Sequence, residues 1–314
     1  MLRYLLLRNP GHNRVYYLES EKLALAELTL TTKRFDQPCD HIESIDIAGI
    51  NYLSFTVGQL LSENELIWLS NLSFIFALYQ QSGDSAESML HPVALTPHSY
   101  VDPKISMLLK YGGKTNEIFT RLMINVGLVT SDYGLDDSIQ MLDPVAGKGT
   151  TLFEGAVRGF DVTGIEMERK MVHETTVFFK RFLEQDKYKH TLSKHDMYSS
   201  STGNEAFIQL FEYARDKQDF KSETTRKHLA IIAGNAIHSR RYFKAEKLHL
   251  IIGDLPYGIA HGNKSQKQHK SRTRSPAELM ETCLPEFHKI LKTGGCLVLA
   301  WNKFVWPRED FVEL

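Results

Sequence analysis

Nine consecutive residues, Leu142-Asp143-Pro144-Val145-Ala146-Gly147-Lys148-Gly149-Thr150, carry the clearest chemical signal in the chain. An apolar stretch ends in an acid, a glycine loop follows, and a helical pattern starts at Thr150. Glycines there let a ligand approach the backbone, and the start of a helix offers N–H groups to it. Glu166 closes the next apolar stretch, 17 residues after Gly149. That spacing suits a carboxylate accepting both hydroxyls of a bound ribose. A dinucleotide loop or a glycine turn without a ligand are the alternatives. The dinucleotide fingerprint wants a third glycine where Leu152 stands, and Asp143 would repel a pyrophosphate while attracting a cation. The expected ligand is a nucleoside with a positive appendage. S-adenosylmethionine, with ribose, adenine, an amino group and a sulfonium, fits that description.

A second acid ends a second apolar run, in Ile251-Ile252-Gly253-Asp254-Leu255-Pro256-Tyr257-Gly258. In an open parallel sheet, ligands bind beyond the carboxyl ends of the strands. Asp254 and Tyr257 are therefore expected to face the crevice that holds Asp143 and Glu166. The Asp254 side chain and the Leu255 carbonyl before Pro256 can accept from an exocyclic NH2, and Tyr257 can stack on a planar base. Together they suit methyl transfer to an amino group on a ring. Taken alone, the motif is equally a structural Asp-x-Pro-Tyr turn.

Residues 263–274 hold five Lys or Arg and no acid: Lys264, Lys267, Lys270, Arg272 and Arg274. This run follows the second motif directly, so it is expected over the crevice, where it can meet phosphates. A solvated loop is the plain alternative. The whole chain, with 37 basic and 38 acidic residues and a net charge of −1, favours no polyanion, so any nucleic-acid affinity must be local.

Several classes are excluded. The three cysteines, Cys39, Cys283 and Cys296, form no CxxC pair, which argues against a disulfide framework and a cysteine zinc site. The thirteen His are scattered without HExxH spacing, so no metal is expected, and His98, His238 and His261 read as polar surface residues. No 18-residue apolar run occurs, and the N-terminus lacks the long apolar core of a signal peptide. The expected compartment is a reducing cytoplasm, with no membrane partner.

The elements that must position these groups follow from hydrophobic period. Residues 1–95 mix strands (4–7, 42–50, 52–57) with a helix at 18–30. The aromatic stretch 63–80 reads as a helix or two short strands, giving a small α+β domain. Residues 96–314 alternate helices (116–129, 150–158, 168–183, 277–291) with apolar strands (139–142, 162–165, 229–233, 248–252, 296–300). Alternation of this kind implies an α/β, doubly wound, mostly parallel sheet. Residues 184–228 break the rhythm and read as an insertion carrying a helix on Ala206, Phe207, Leu210, Phe211 and Ala214. The aromatic pairs Phe178/Phe179 and Tyr242/Phe243 read as core.

DPVAGKGT, GIE and DLPYG together resemble the Rossmann-like class I S-adenosylmethionine-dependent methyltransferases with an (Asp/Asn/Ser)-x-Pro-(Tyr/Phe) signature. More narrowly, DLPYG preceded by GNAIHS is similar to the RNA methylase family that includes the THUMP-associated tRNA guanine-N2 methyltransferases. The likeness spans about residues 100–302. It implies that Asp143, Val145, Gly147, Gly149 and Thr150 bind the cofactor, that Glu166 holds its ribose, and that Asn235 contacts adenine. Asp196 competes with Asn235 if the third strand comes earlier. It also implies catalytic roles for Asp254, Pro256 and Tyr257 on a base of tRNA or rRNA, the expected RNA partner. DNA adenine-N6 or protein-amide methylation, and a non-catalytic RNA-binding module, are the other readings. Two departures stand out. No THUMP domain is evident in residues 1–90. The chain ends at Glu313-Leu314, where the family adds a last helix and an antiparallel edge strand, so either a truncated product or a sheet without its seventh strand is expected.

Overall fold

The computed structural model describes residues 1–10, 14–83, 88–108, 114–198, 206–255 and 276–313. Along the chain these form β1 (Leu2–Arg8), α1 (Arg14–Glu19), α2 (Glu21–Thr31), β2 (Cys39–Ile47), β3 (Ile50–Val57), α3 (Glu63–Ser70), β4 (Ile75–Ser82), β5 (Met89–Val93), α4 (Lys104–Leu108) and α5 (Glu117–Thr130). They continue as β6 (Gln140–Asp143), α6 (Thr150–Val157), β7 (Asp161–Glu166), α7 (Arg169–Gln185), β8 (Lys189–Tyr198), β9 (Ala206–Ala214), α8 (Lys217–Lys221), β10 (Lys227–Ala233), α9 (Ser239–Tyr242), β11 (Leu248–Asp254), α10 (Pro276–Ile290), β12 (Leu291–Ala300) and α11 (Arg308–Val312). No helix among the described residues is long and apolar enough to cross a membrane.

Two compact units emerge, and the chain passes between them more than once. The first comprises Met1–Ser99 with Ile118–Thr130, the second Tyr100–Glu117 with Ser131–Leu314. The first unit is an antiparallel sheet in the order β2-β3-β1-β4-β5. Its core joins Tyr4, Leu6, Leu28, Leu53, Phe55 and Leu69 to Leu122 of α5. The aromatic stretch 63–80 splits into α3 and β4. Ser62 and Glu65 form a reciprocal cap that starts α3, satisfying two end N–H groups. Glu27, 2% exposed, accepts from the Ser73 amide (3.0 Å) and hydroxyl (2.6 Å) and from Asn125 Nδ2 (2.5 Å).

The second unit is a seven-stranded sheet in the order β12-β11-β6-β7-β10-β9-β8. The first five of these strands run parallel, β9 pairs antiparallel to β10, and β8 pairs antiparallel to β9. β11 is buried from Leu248 to Gly253, which explains its unbroken apolar run around His249. α6 is buried at every position, and α7 buries Val172, Phe179, Phe182 and Leu183.

One expectation needs correction. Residues 206–214 are strand β9, where a helix was expected. The positions 206, 207, 210, 211 and 214 happen to fit a 3.6-residue period. The working pattern is the two-residue one: Phe211 and Tyr213 are fully buried and both pack edge-on to Phe179 of α7. Among the described residues, β8 and β9 extend the sheet beyond β10, and β12 and β8 lie on its outside.

Candidate active site at the carboxyl ends of the parallel strands

Four neighbouring strands, β11, β6, β7 and β10, end at one edge of the sheet with Asp254, Asp143, Glu166 and, just past the strand, Asn235. Adjacent strands lie about 4.8 Å apart, and the charges of Asp254 and Glu166 both act on Asp143. Register sets Asp143 level with Gly164, two residues before Glu166, and Leu142 level with Ile251, three residues before Asp254.

The glycine loop joins β6 to α6. Asp143 Oδ1 accepts from the Val145 amide at 2.9 Å, and its carboxylate also takes a bond from Thr151. The Gly149 amide donates to Ala146 O, and the Ala146 amide to Ile165 O, which tacks the loop onto β7. Gly149 caps α6 at φ +87°, and a Cβ there would meet Thr175 Cγ2 at 2.9 Å, so only glycine fits. Gly147, at φ +50°, is different: no atom lies within 4 Å of where its Cβ would stand. Its amide donates to Glu166 Oε2 at 2.9 Å, and Glu166 Oε1 accepts from the Glu168 amide at 2.7 Å. Lys148 pairs with Glu174 of α7 at 2.9 Å. Val145 is half-buried, and Thr150, opening α6, is buried.

The acids feel one another. Burial pushes the Asp143 carboxyl up to about 7, opposed by the Val145 and Thr151 bonds and helped by the charges of Asp254 and Glu166. Burial likewise raises the Glu166 carboxyl, against the bonds from Glu168 and Gly147. Asp143 is buried while Glu166 and Asp254 are half-buried, and neighbouring carboxylates attract positive charge.

The third strand is β10, so Asn235 is the polar residue that follows it. Its Oδ1 accepts from the Ile237 amide at 3.1 Å and starts a short 3-10 turn, while its own amide donates to the Tyr242 hydroxyl. The competitor Asp196 lies on β8, two strands farther out, although level with Ala233 through Phe207. Pro256, Tyr257, Lys264, Lys267, Lys270, Arg272, Arg274 and His261 lie outside the described residues. Among the described residues, no group of three His, Cys, Asp or Glu could hold a metal ion.

Residues 124–305 match the family described as "RMKL-like, methyltransferase domain". The chain belongs to this family. As an RMKL-like methyltransferase domain protein it is a methyltransferase, and its family implies a donor of the S-adenosylmethionine type. No curated protein sequence matches the chain. Among solved structures, TrmN from Thermus thermophilus is similar at 10% identity and a TM-score of 0.44, over 99% of this chain and 92% of that one. A Corynebacterium glutamicum protein solved in a structural-genomics programme is similar at 14% identity and a TM-score of 0.31, over 60% and 59% of the two chains.

Three features around the strand ends of this methyltransferase escaped the sequence. Thr115 Oγ1 donates to Asp254 Oδ2 at 2.6 Å, and no local pattern around Thr115 signals it. Met167, next to Glu166, is 68% exposed, which its place after the acid could have suggested. Past β12, Trp301 stacks on Phe311 and its Nε1 donates to Trp306 O. The turn so held leaves Phe304 88% exposed.

Proposed function

We propose that this protein methylates an exocyclic amino group of an RNA base, with guanine N2 in tRNA or rRNA as the target and S-adenosylmethionine as the donor. The observation that carries this reading is the alignment of Asp254, Asp143 and Glu166 at the ends of three adjacent parallel strands. The donor's chemistry fits the residues present. The open space over Gly147 admits a ligand against the backbone, and the carboxyl groups of Asp143 and Glu166 favour a cation. S-adenosylmethionine supplies a methyl carbon activated by a sulfonium.

Each residue then has a role. Asp143, with the loop from Val145 through Gly147 and Gly149 to Thr150, holds the amino-acid end of the donor. Glu166 accepts from the ribose hydroxyls. Its two oxygens offer about four lone-pair sites, of which the Gly147, Glu168 and Met167 amides take some. Asn235 offers its Nδ2 to adenine, and Met167 an apolar face beside it. Asp254 orients the substrate amine, with Pro256 and Tyr257 of the same motif framing and stacking on the base. An exocyclic amine is a poor nucleophile because its lone pair is delocalised into the ring. Asp254 accepts hydrogen bonds from it as positive charge develops on nitrogen, and holding the two reactants together supplies much of the rest. The basic run 264–274 contributes phosphate affinity. The Leu in Asp254-Leu255-Pro256-Tyr257 favours the guanine-N2 type over adenine-N6.

The test is transfer of a labelled methyl group from S-adenosylmethionine to total RNA, DNA and protein in parallel, followed by nucleoside mass spectrometry. N2-methylguanosine in RNA is expected. Label confined to DNA or to protein overturns the RNA reading, and no label anywhere, with donor bound, leaves a binding module.

A further inference from the structure

Thr115 lies 139 residues before Asp254, outside the span that matches the family, yet its hydroxyl donates to Asp254 Oδ2 at 2.6 Å. We propose that Thr115 is a positioning residue for Asp254, fixing the orientation of its carboxylate for the substrate amine. This rests on the function proposed above.

Each of the three acids is held by hydrogen bonds from the fold. Asp143 accepts from Val145 and Thr151, Glu166 from the Gly147 and Glu168 amides, and Asp254 from Thr115. The Thr115 bond, short and made to one carboxylate oxygen, sets the rotation of the Asp254 side chain.

A neutral hydroxyl donor orients the carboxylate through one of its oxygens. The backbone beyond Asp254 is fixed too, since the Leu255 amide donates to Ala300 O at 2.8 Å. With main chain and one carboxylate oxygen both tethered, Asp254 presents a set geometry to the amine, which is the basis of preorganised catalysis.

The experiment compares the full-length wild type with Thr115→Val, which removes the donor at nearly constant volume, and Thr115→Ser, which restores it. One arm follows the Asp254 carboxyl by carbon-13 NMR, assigned with Asp254→Asn. The other measures methyl transfer from S-adenosylmethionine to RNA. Thr115→Val is expected to move the Asp254 carboxyl carbon resonance at fixed pH, because the bond to Oδ2 is lost. It should lower kcat about tenfold or more, the worth of a charged hydrogen bond, with KM for the donor unchanged, and Thr115→Ser should recover both. An unchanged resonance overturns the proposal, as does an unchanged kcat. Where the wild type labels no RNA, the proposed function fails and the NMR arm still decides the role of Thr115. Should Thr115→Val fail to fold, Thr115→Ala is measured in its place.

Discussion

Replacing Asp143 by Asn should make this protein more stable at pH 8 and poorer at binding its donor. The Asp143 carboxyl stands at about 7 in the fold against 3.8 for the ordinary side chain, chiefly because it is buried. A carboxyl raised on folding binds its proton more tightly in the folded chain than in the unfolded one. Its contribution is therefore fully favourable below about pH 4, erodes as pH rises towards 7, and stays eroded above that. Between pH 5 and the midpoint near 7 the erosion amounts to roughly 3 kcal/mol, at about 1.4 kcal/mol per unit. Asn carries no charge to desolvate, and its Oδ1 can still accept from the Val145 amide. Thermal unfolding of both proteins at pH 5 and pH 8 reads the effect. The variant should gain on the wild type by roughly 5–10 °C between the two pH values, and calorimetry should show S-adenosylmethionine affinity reduced at least tenfold. A stability difference that is the same at both pH values would refute the burial argument, and an unchanged affinity would remove Asp143 from the cation site.

Four further outcomes are expected. Glu166→Ala should weaken donor binding about tenfold or more, since charge-assisted bonds are worth roughly 1.5–3 kcal/mol. Calorimetry on the folded variant checks this. Asp254→Ala should lose methyl transfer while keeping donor affinity, and near-wild-type turnover on RNA would make its motif structural. Neutralising Lys264, Lys267, Lys270, Arg272 and Arg274 together should flatten the salt dependence of RNA binding by roughly 0.7–0.9 log units for each phosphate no longer neutralised. Filter binding at several salt concentrations reads the slope, and equal slopes would leave the run merely solvated. Asn125→Ala removes a donor from the buried Glu27 and should cost about 3 kcal/mol in denaturant unfolding.

What the sequence made legible was local. Asp143 and Asp254 each end a strand whose apolar run reflects burial, and the glycine loop between β6 and α6 has its own composition. Elements whose identity depends on distant partners were not legible. Residues 206–214 satisfy helical and strand periods alike, and only the ring of Phe179 on α7 decides between them. The amphipathic period of α5 announces a helix but not that Leu122 packs in the first unit's core. Thr115 has no motif, because its meaning lies in an acid 139 residues away.

The repeated passage of the chain between its units has a consequence for how such a protein could be taken apart or assembled. With crossings at 99/100, 117/118 and 130/131, no single scission divides it into its two units. A nick between residues 100 and 116 leaves α5 on the carboxyl-terminal fragment while its packing surface stays on the other. Leu122, Ile118, Phe119 and Val126 would then act as a plug, keeping the fragments together as one particle. The same threading bars a one-step shuffle of the amino-terminal unit between genes: a recombinant joined at residue 99 inherits a helix fitted to a sheet it no longer has. The two units are thus bound to vary together.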